Sequence, residues 1–302
     1  MKKMDYWGEI PLEEMQLLIK FTKKSGWKKG LAEFLKKHPE RKDILNTVIS
    51  GKMRNKWQKF VSIGKNTKVL DVGCGMGTLS YELAKLTDKL YSVDPVPSRV
   101  EYTKLRLKSD KLKVHARVQG INDLKKKNFF DVVILMGVLE WVAYMEKSNN
   151  PMETQMETLK NLNSILTYNG LLVLGIENRF SWEYFLGRVN HFDIPFSSIL
   201  PRWLANLIYR LKRSSKYLTI TYSYRELKQV LKTAGFNEVT IRVAHPMYQD
   251  PKLLFDPDSQ KEISNAMKEL KNRKFRNGII FFLNKIGLTK CFASHFIVIA
   301  RK

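Results

Sequence analysis

The sequence predicts a doubly wound α/β fold around a mostly parallel sheet. Three observations carry this. Short runs rich in Val, Ile and Leu alternate with helical stretches from residue 68 to residue 176. A glycine-rich turn follows the first run, and an acidic residue, Asp94, closes the second. Buried strands separated by helices need cover on both faces, and right-handed crossovers then wind the sheet in both directions.

The elements follow in order. Residues 1–60 read as helical and basic, with Leu17, Leu18, Phe21 and then Leu31, Phe34, Leu35 at helical spacing. Residues 44–61 read as a further helix leading into the core. Strand-like runs cover 68–72, 90–93, 114–118, 130–135 and 171–176. Helices are expected over 78–86, 98–107 and 153–166, the last stopped by Asn169-Gly170. A long segment, 177–221, comes next. Ser223 and Glu226 then form an S-x-x-E capping box opening a helix to residue 234, with Gly235 just beyond its end. Residues 238–244 and 295–300 are the last two strand-like runs. The chain divides into a basic helical extension, 1–60, and a larger domain, 61–302, with insertions at about 177–221 and 245–294.

The 302 residues are 44% hydrophobic and 27% charged, ordinary for a folded globular chain. The net charge of +24 is not ordinary. Residues 1–60 hold 15 Lys and Arg against 7 Asp and Glu; residues 201–302 hold 20 against 7; the middle is nearly neutral. Basic flanks attract a polyanion: nucleic acid, an anionic membrane or a phosphorylated substrate. The two cysteines, Cys74 and Cys291, offer neither metal-ligand spacing nor a disulfide framework, which points to the cytoplasm. No signal peptide is expected at the N-terminus. No window approaches the roughly 18–20 apolar residues that span a bilayer.

The chemistry begins at Asp71-Val72-Gly73-Cys74-Gly75-Met76-Gly77. Glycines let the backbone turn sharply and approach a ligand closely. The spacing is G-x-G-x-G, an acidic residue precedes it, and no P-loop lysine follows. A carboxylate there repels a pyrophosphate but suits a ligand with a cationic end, as the ammonium and sulfonium of S-adenosylmethionine provide. Asp94-Pro95 closes the second strand, where a carboxylate can accept both ribose hydroxyls. After the third strand come Ile121, Asn122 and Asp123, where a polar side chain or the Ile121 amide can read an adenine edge; an Asn-Asp pair is also ordinary turn chemistry.

Together with Phe130-Asp131-Val132-Val133-Ile134-Leu135-Met136-Gly137 and Asn169-Gly170-Leu171-Leu172, these motifs resemble the class I S-adenosylmethionine-dependent methyltransferases across residues 55–302. The resemblance implies a Rossmann-like seven-stranded sheet with the last strand antiparallel. It implies that Asp71, Gly73, Cys74, Gly75 and Gly77 border the methionine part of the cofactor, Asp94 and Pro95 the ribose, and Ile121, Asn122 and Asp123 the adenine. Met136 and Gly137 would lie near the methyl group. No metal is implied.

A finer resemblance rests on Ile176-Glu177-Asn178-Arg179-Phe180, Glu183-Tyr184-Phe185-Leu186-Gly187 and Thr221-Tyr222-Ser223-Tyr224-Arg225-Glu226-Leu227. These look like methyltransferases of surface-polysaccharide and lipid-linked glycan biosynthesis, in which the segment after the fifth strand contributes a histidine-containing acceptor loop. The counterpart here is Asn190-His191-Phe192-Asp193. A hydroxyl acceptor usually needs a base. His191 is the first candidate, Glu140 the second and His245 the third.

Leu200, Trp203, Leu204, Leu207, Ile208 and Leu211 follow helical spacing beside Arg202, Arg210, Lys212 and Arg213. Gly278-Ile279-Ile280-Phe281-Phe282-Leu283 lies between Arg276 and Lys285. Basic amphipathic helices of this kind lie in membrane interfaces, although the same stripe also serves core packing. The reading is therefore O-methylation of a glycan, lipid-linked or other small acceptor, peripheral on the inner membrane face. An RNA or, less readily, DNA methyltransferase is the alternative, since phosphate contacts dominate nucleic-acid affinity. Met136-Gly137-Val138-Leu139 stands in place of an N-P-P-Y motif, and no Pro-Cys pair offers a C5-attacking thiolate.

Overall fold

A computed structural model of the protein describes residues 10–49, 53–189, 194–214, 216–270 and 275–302. The chain forms two compact units, Met1–Lys125 with Phe129–Val133, and Lys126–Asn128 with Ile134–Lys302. Among the described residues eight strands take the order β3-β2-β1-β4-β5-β8-β6-β7, with ranges as follows.

In the first unit, α1 (Leu12–Ser25), α2 (Trp27–Lys37) and α3 (Lys42–Ile49) precede the sheet. Their apolar faces share one core, in which Leu18, Phe34 and Leu45 meet Met76 and Tyr102. A 3-10 stretch, Met53–Phe60, follows, so the single helix expected over 44–61 is α3 at one end and this stretch at the other. Then come β1 (Lys68–Val72), α4 (Thr78–Leu83), β2 (Lys89–Asp94), α5 (Pro97–Ser109) and β3 (His115–Val118). Both β1–β2 and β2–β3 are parallel, with Asp71 level with Ser92. Helix α4 is shorter than expected because Lys85 and Leu86 donate to carbonyls three residues back and tighten the chain into turns.

One buried cation organises this unit. Arg106 of α5 is 1% exposed and stacks on the Trp27 and Tyr81 rings, 4.7 and 4.8 Å from their centres. Its guanidinium donates to the carbonyls of Met76 (3.0 Å) and Ile49 (2.8 Å). Burial lowers its pKa, yet an arginine stays charged, and charged donors to carbonyls are the stronger class of hydrogen bond.

Strand β4 (Phe130–Met136) begins in the first unit and ends in the second. The second unit continues with α6 (Val142–Met145), α7 (Pro151–Ile165), β5 (Leu166–Glu177), α8 (Trp182–Phe185), α9 (Arg202–Arg213), α10 (Tyr224–Thr233), β6 (Glu238–His245), β7 (Leu253–Phe255), α11 (Gln260–Glu269), α12 (Phe275–Lys285), α13 (Thr289–Phe292) and β8 (His295–Arg301). The last strand, β8, is antiparallel to both its neighbours, β5 and β6, as the resemblance implied. The eighth strand is β7, which extends the edge beside β6. Three residues are too few to show a period, so the sequence left it inside the second insertion. Among the described residues no helix is long and apolar enough to cross a membrane.

Helix α10 shows the expected capping box: Glu226 N–H donates to the Ser223 hydroxyl, and the Glu226 carboxylate accepts from Ser223 N–H. Gly235, at φ 98°, follows its last turn. The expected cost of Ser223→Ala is about 1 kcal/mol, read as roughly fivefold faster amide exchange in the first turn of α10. Unchanged protection would show that the cap contributes nothing.

Candidate active site

In the first unit the glycine loop hangs from the end of β2. The Val93 carbonyl accepts from Gly73 N–H (2.8 Å) and Cys74 N–H (3.1 Å). One Asp94 carboxylate oxygen accepts from Gly75 N–H (3.0 Å) and the other from Val96 N–H (2.9 Å). Asp71, next to last in β1, is buried and accepts from the Ser80 hydroxyl at 2.6 Å. Ser80 in turn lies 2.9 Å from the Ser92 hydroxyl. Thr103 and Arg106 of α5 donate to the Gly75 and Met76 carbonyls. The loop is thereby held from both sides.

Gly75 shows what the loop is shaped for. Its φ is +53°, and a Cβ placed on it would meet no heavy atom of the protein within 4 Å. The loop leaves a cradle there that a side chain would fill. Asp94 is 3% exposed. Burial pushes its carboxyl up, while the Arg99 charge and the Val96 and Gly75 N–H donors pull it back. Each of its oxygens has one N–H donor in this set, and a carboxylate oxygen can take two. That capacity fits a ribose diol. Pro95 follows, exposed. The Cys74 thiol is pushed well up by burial and by the Asp71 and Asp94 charges, so it stays a neutral thiol that packs.

The adenine candidates are brought to the same strand end. Gln119 N–H donates to the Asp94 carbonyl (3.1 Å), and the Gln119 side chain donates to the Asp123 carbonyl (2.9 Å). This clamps a 3-10 turn, Ile121–Asp123, with Ile121 buried and the side chains of Asn122 and Asp123 exposed. Asp71, Gly73, Cys74, Gly75, Gly77, Asp94, Pro95, Ile121, Asn122 and Asp123 thus belong to one loop system of the first unit.

The second unit gathers a different set. Gly137 follows β4 at φ +68°, and its N–H donates to the Gly175 carbonyl (2.9 Å). A Cβ on Gly137 would fall onto the Tyr248 hydroxyl, and one on Gly175 would lie 2.9 Å from the Tyr248 ring and 2.5 Å from the Met136 sulfur. Both glycines are therefore needed for Tyr248 to lie across the ends of β4 and β5. The Tyr248 ring centre is 5.4 Å from that of His295, which pairs in register with Glu177. Tyr184 donates its hydroxyl to Glu177. Glu140, in a 3-10 turn after β4, is fully buried. Its carboxyl is pushed up to about 8, first by burial and then by the Glu177 charge.

Of the base candidates, His191 lies outside the described residues. His245 is buried, with Nε2 3.0 Å from the Asn277 side-chain oxygen, and burial lowers its pKa. The sequence gives no direct sign of Tyr248 or His295 at this place, and it shows Glu177 and Tyr184 only as members of the motifs at 176–180 and 183–187. The pair of glycines at 137 and 175 is the one sequence trace of Tyr248, and at Gly137 the positive φ already accounts for a glycine. Among the described residues one His/Cys/Asp/Glu group has metal-like proximity, Glu14, His38 and Glu40, and Arg41 already pairs with Glu14.

A family described as a methyltransferase domain matches residues 63–236, more than half of the chain. The ubiquinone biosynthesis O-methyltransferase of Pelagibacter ubique (strain HTCC1062) is 30% identical over 115 residues, 38% of this chain and 44% of that protein. The protein of the same name from Xanthomonas campestris pv. campestris (strain B100) is 38% identical over 77 residues, 25% of this chain and 32% of its own. The chain spans less than half the length of these curated relatives. Among solved structures, a SAM-dependent methyltransferase from Thermotoga maritima aligns with 89% of this chain and 97% of its own at 14% identity and a TM-score of 0.48. With a matching family over more than half of its length, the glycine loop and the ordered β2 carboxylate behind it, the chain belongs to the class I S-adenosylmethionine-dependent methyltransferases.

Proposed function

We propose that this protein transfers a methyl group from S-adenosylmethionine to a hydroxyl of a small, lipid-linked acceptor, such as a lipid-linked glycan, at the inner face of the membrane. The observation that carries the donor is the cradle at Gly75 beside the buried Asp94 carboxylate. Support for a hydroxyl acceptor comes from the O-methyltransferase names of the partial relatives. Support for a lipid-linked one comes from the motifs around residues 176–187 and 221–227 and from the basic, apolar helices of the second unit.

The cofactor supplies a methyl on a positively charged sulfur. Asp94 accepts from the ribose hydroxyls, the Ile121–Asp123 turn borders the adenine, and the loop from Asp71 to Gly77 borders the methionine part. The rigid loop spares the donor a search for its geometry, and such positioning is the main contribution of a methyltransferase. Glu140, and His191 in the first insertion, are the groups proposed to take the acceptor proton. A carboxyl with a pKa of about 8 is a strong base once ionised.

Gly75→Ala is expected to lower S-adenosylhomocysteine affinity at least about tenfold, read as loss of the ligand-induced thermal shift, while the protein without ligand still melts cooperatively. Absence of any shift with the unaltered protein would overturn the donor assignment.

Glu140 generates a pH signature of definite sign. Its folded-state pKa of about 8 lies above the ordinary 4.5, so its contribution to stability is present at low pH and is lost as pH rises toward about 8. The melting temperature is expected to fall between pH 5 and pH 8 more steeply in the unaltered protein than in Glu140→Gln. If Glu140 is the base, kcat rises with pH through about 8 and drops roughly a hundredfold in the Gln variant. An unchanged pH–rate profile in that variant would leave Glu140 a structural residue.

The acceptor class is decided by transfer of labelled methyl to cell extracts separated into lipid, polysaccharide, RNA and protein. Label is expected in the lipid fraction; label in RNA alone would establish the alternative reading.

A further inference from the structure

The second unit carries large apolar side chains that its own core does not use. Helix α9 buries Ala205 and Tyr209, and Tyr209 meets Tyr217 across 6.2 Å. The residues four apart on another face, Trp203, Leu207 and Leu211, stay in solvent, Trp203 and Leu211 at 69% and 77% exposure. Arg210, Lys212 and Arg213 are exposed on the same helix. In an ordinary surface helix the outer positions are polar.

A second patch repeats the pattern. Helix α12 buries Ile280 and Leu283 and exposes Phe275, Phe281 and Phe282, with Ile286 exposed just beyond it. Ring contacts join α8 to both neighbours: Trp182 meets Phe275 of α12 at 6.0 Å, and Phe185 meets Phe292 of α13 at 5.5 Å. Phe185 and Leu186 are themselves exposed. Beneath the patch, Glu183 is buried and paired with both Arg188 and Arg276, which locks α8 to α12. Apolar groups left this far out in solvent mark an interaction surface.

We propose that the exposed faces of α9 and of the α8–α12–α13 cluster seat the protein on an anionic lipid bilayer. Charge selects this occupant. Residues 201–302 carry 20 Lys and Arg against 7 Asp and Glu, so a second copy of the chain would repel the surface, whereas an anionic headgroup layer attracts it. Shape agrees: α9 has 12 residues, long enough to lie in the interface with Trp203 at headgroup depth and far too short to cross. The inference deepens the proposed function by naming the surface that meets the membrane, and it rests on the reading that the acceptor is lipid-linked only for its purpose, not for its test.

The test is flotation of the full chain with vesicles of phosphatidylcholine alone and of phosphatidylcholine mixed with phosphatidylglycerol. Binding to the mixed vesicles is expected to exceed binding to the neutral ones by about tenfold and to fall with added salt. Trp203→Glu with Leu211→Glu, and separately Phe275→Glu with Phe282→Glu, are each expected to weaken flotation at least about tenfold. The thermal shift with S-adenosylhomocysteine is the folding control and stays as in the unaltered protein. Failure to float on anionic vesicles overturns the proposal, as does flotation that both double variants leave intact. So does a dimer that the same variants dissociate without any vesicle binding. Vesicle binding combined with methyl transfer only to RNA would keep the surface and discard the lipid-linked acceptor.

Discussion

Two oxygen-bearing groups at the end of β2, the Val93 carbonyl and the Asp94 carboxylate, hold the glycine loop of the first unit in place. A loop with three positive-φ glycines has many conformations in an unfolded chain and must lose them on folding. Here its N–H groups have assigned acceptors: Gly73 and Cys74 donate to the Val93 carbonyl, and Gly75 donates to Asp94. The same carboxylate orders Val96 at the entry to α5. Asp94 therefore fixes the loop before it in space and the helix after it in sequence. Removing its charge would free both at once.

The second unit solves the opposite problem. It accommodates acids and aromatic hydroxyls in an interior where charge is costly. Glu140 answers burial by holding its proton into the neutral range, while Glu177 accepts from Tyr184. Tyr248 covers the strand ends only because residues 137 and 175 have no side chain. A glycine just after β4 and another near the end of β5 thus make room for a ring that comes from a distant loop.

What the sequence disclosed follows from where each constraint acts. Asp71 to Gly77 and Asp94 are legible because a tight turn with three positive-φ residues demands glycine at that spacing, whatever surrounds it. The strands were legible because both faces are covered, which leaves runs of Val, Ile and Leu. Strand β7 is too short to carry a period, and nothing in the local sequence sets the buried Arg106 apart from the other cations of a basic chain. Tyr248 and His295 are joined by tertiary packing, which local pattern does not encode. The amphipathic character of α9 was plain in its spacing. Which of its apolar residues would stay outside was not, because that depends on the floor the helix rests on.

Arg106 has one further consequence. Its two N–H groups reach the carbonyl of Met76, inside the glycine loop, and the carbonyl of Ile49, at the end of α3. Arg106 thus adds a hydrogen-bonded link between the end of α3 and the glycine loop to the packing of Met76 against Leu18, Phe34 and Leu45. A substitution in the last turn of α3, or a partner pulling on α1 to α3, would be felt at Met76 as a change in where the loop carbonyl points. The basic N-terminal segment is in that sense a handle on the glycine loop as well as a store of positive charge.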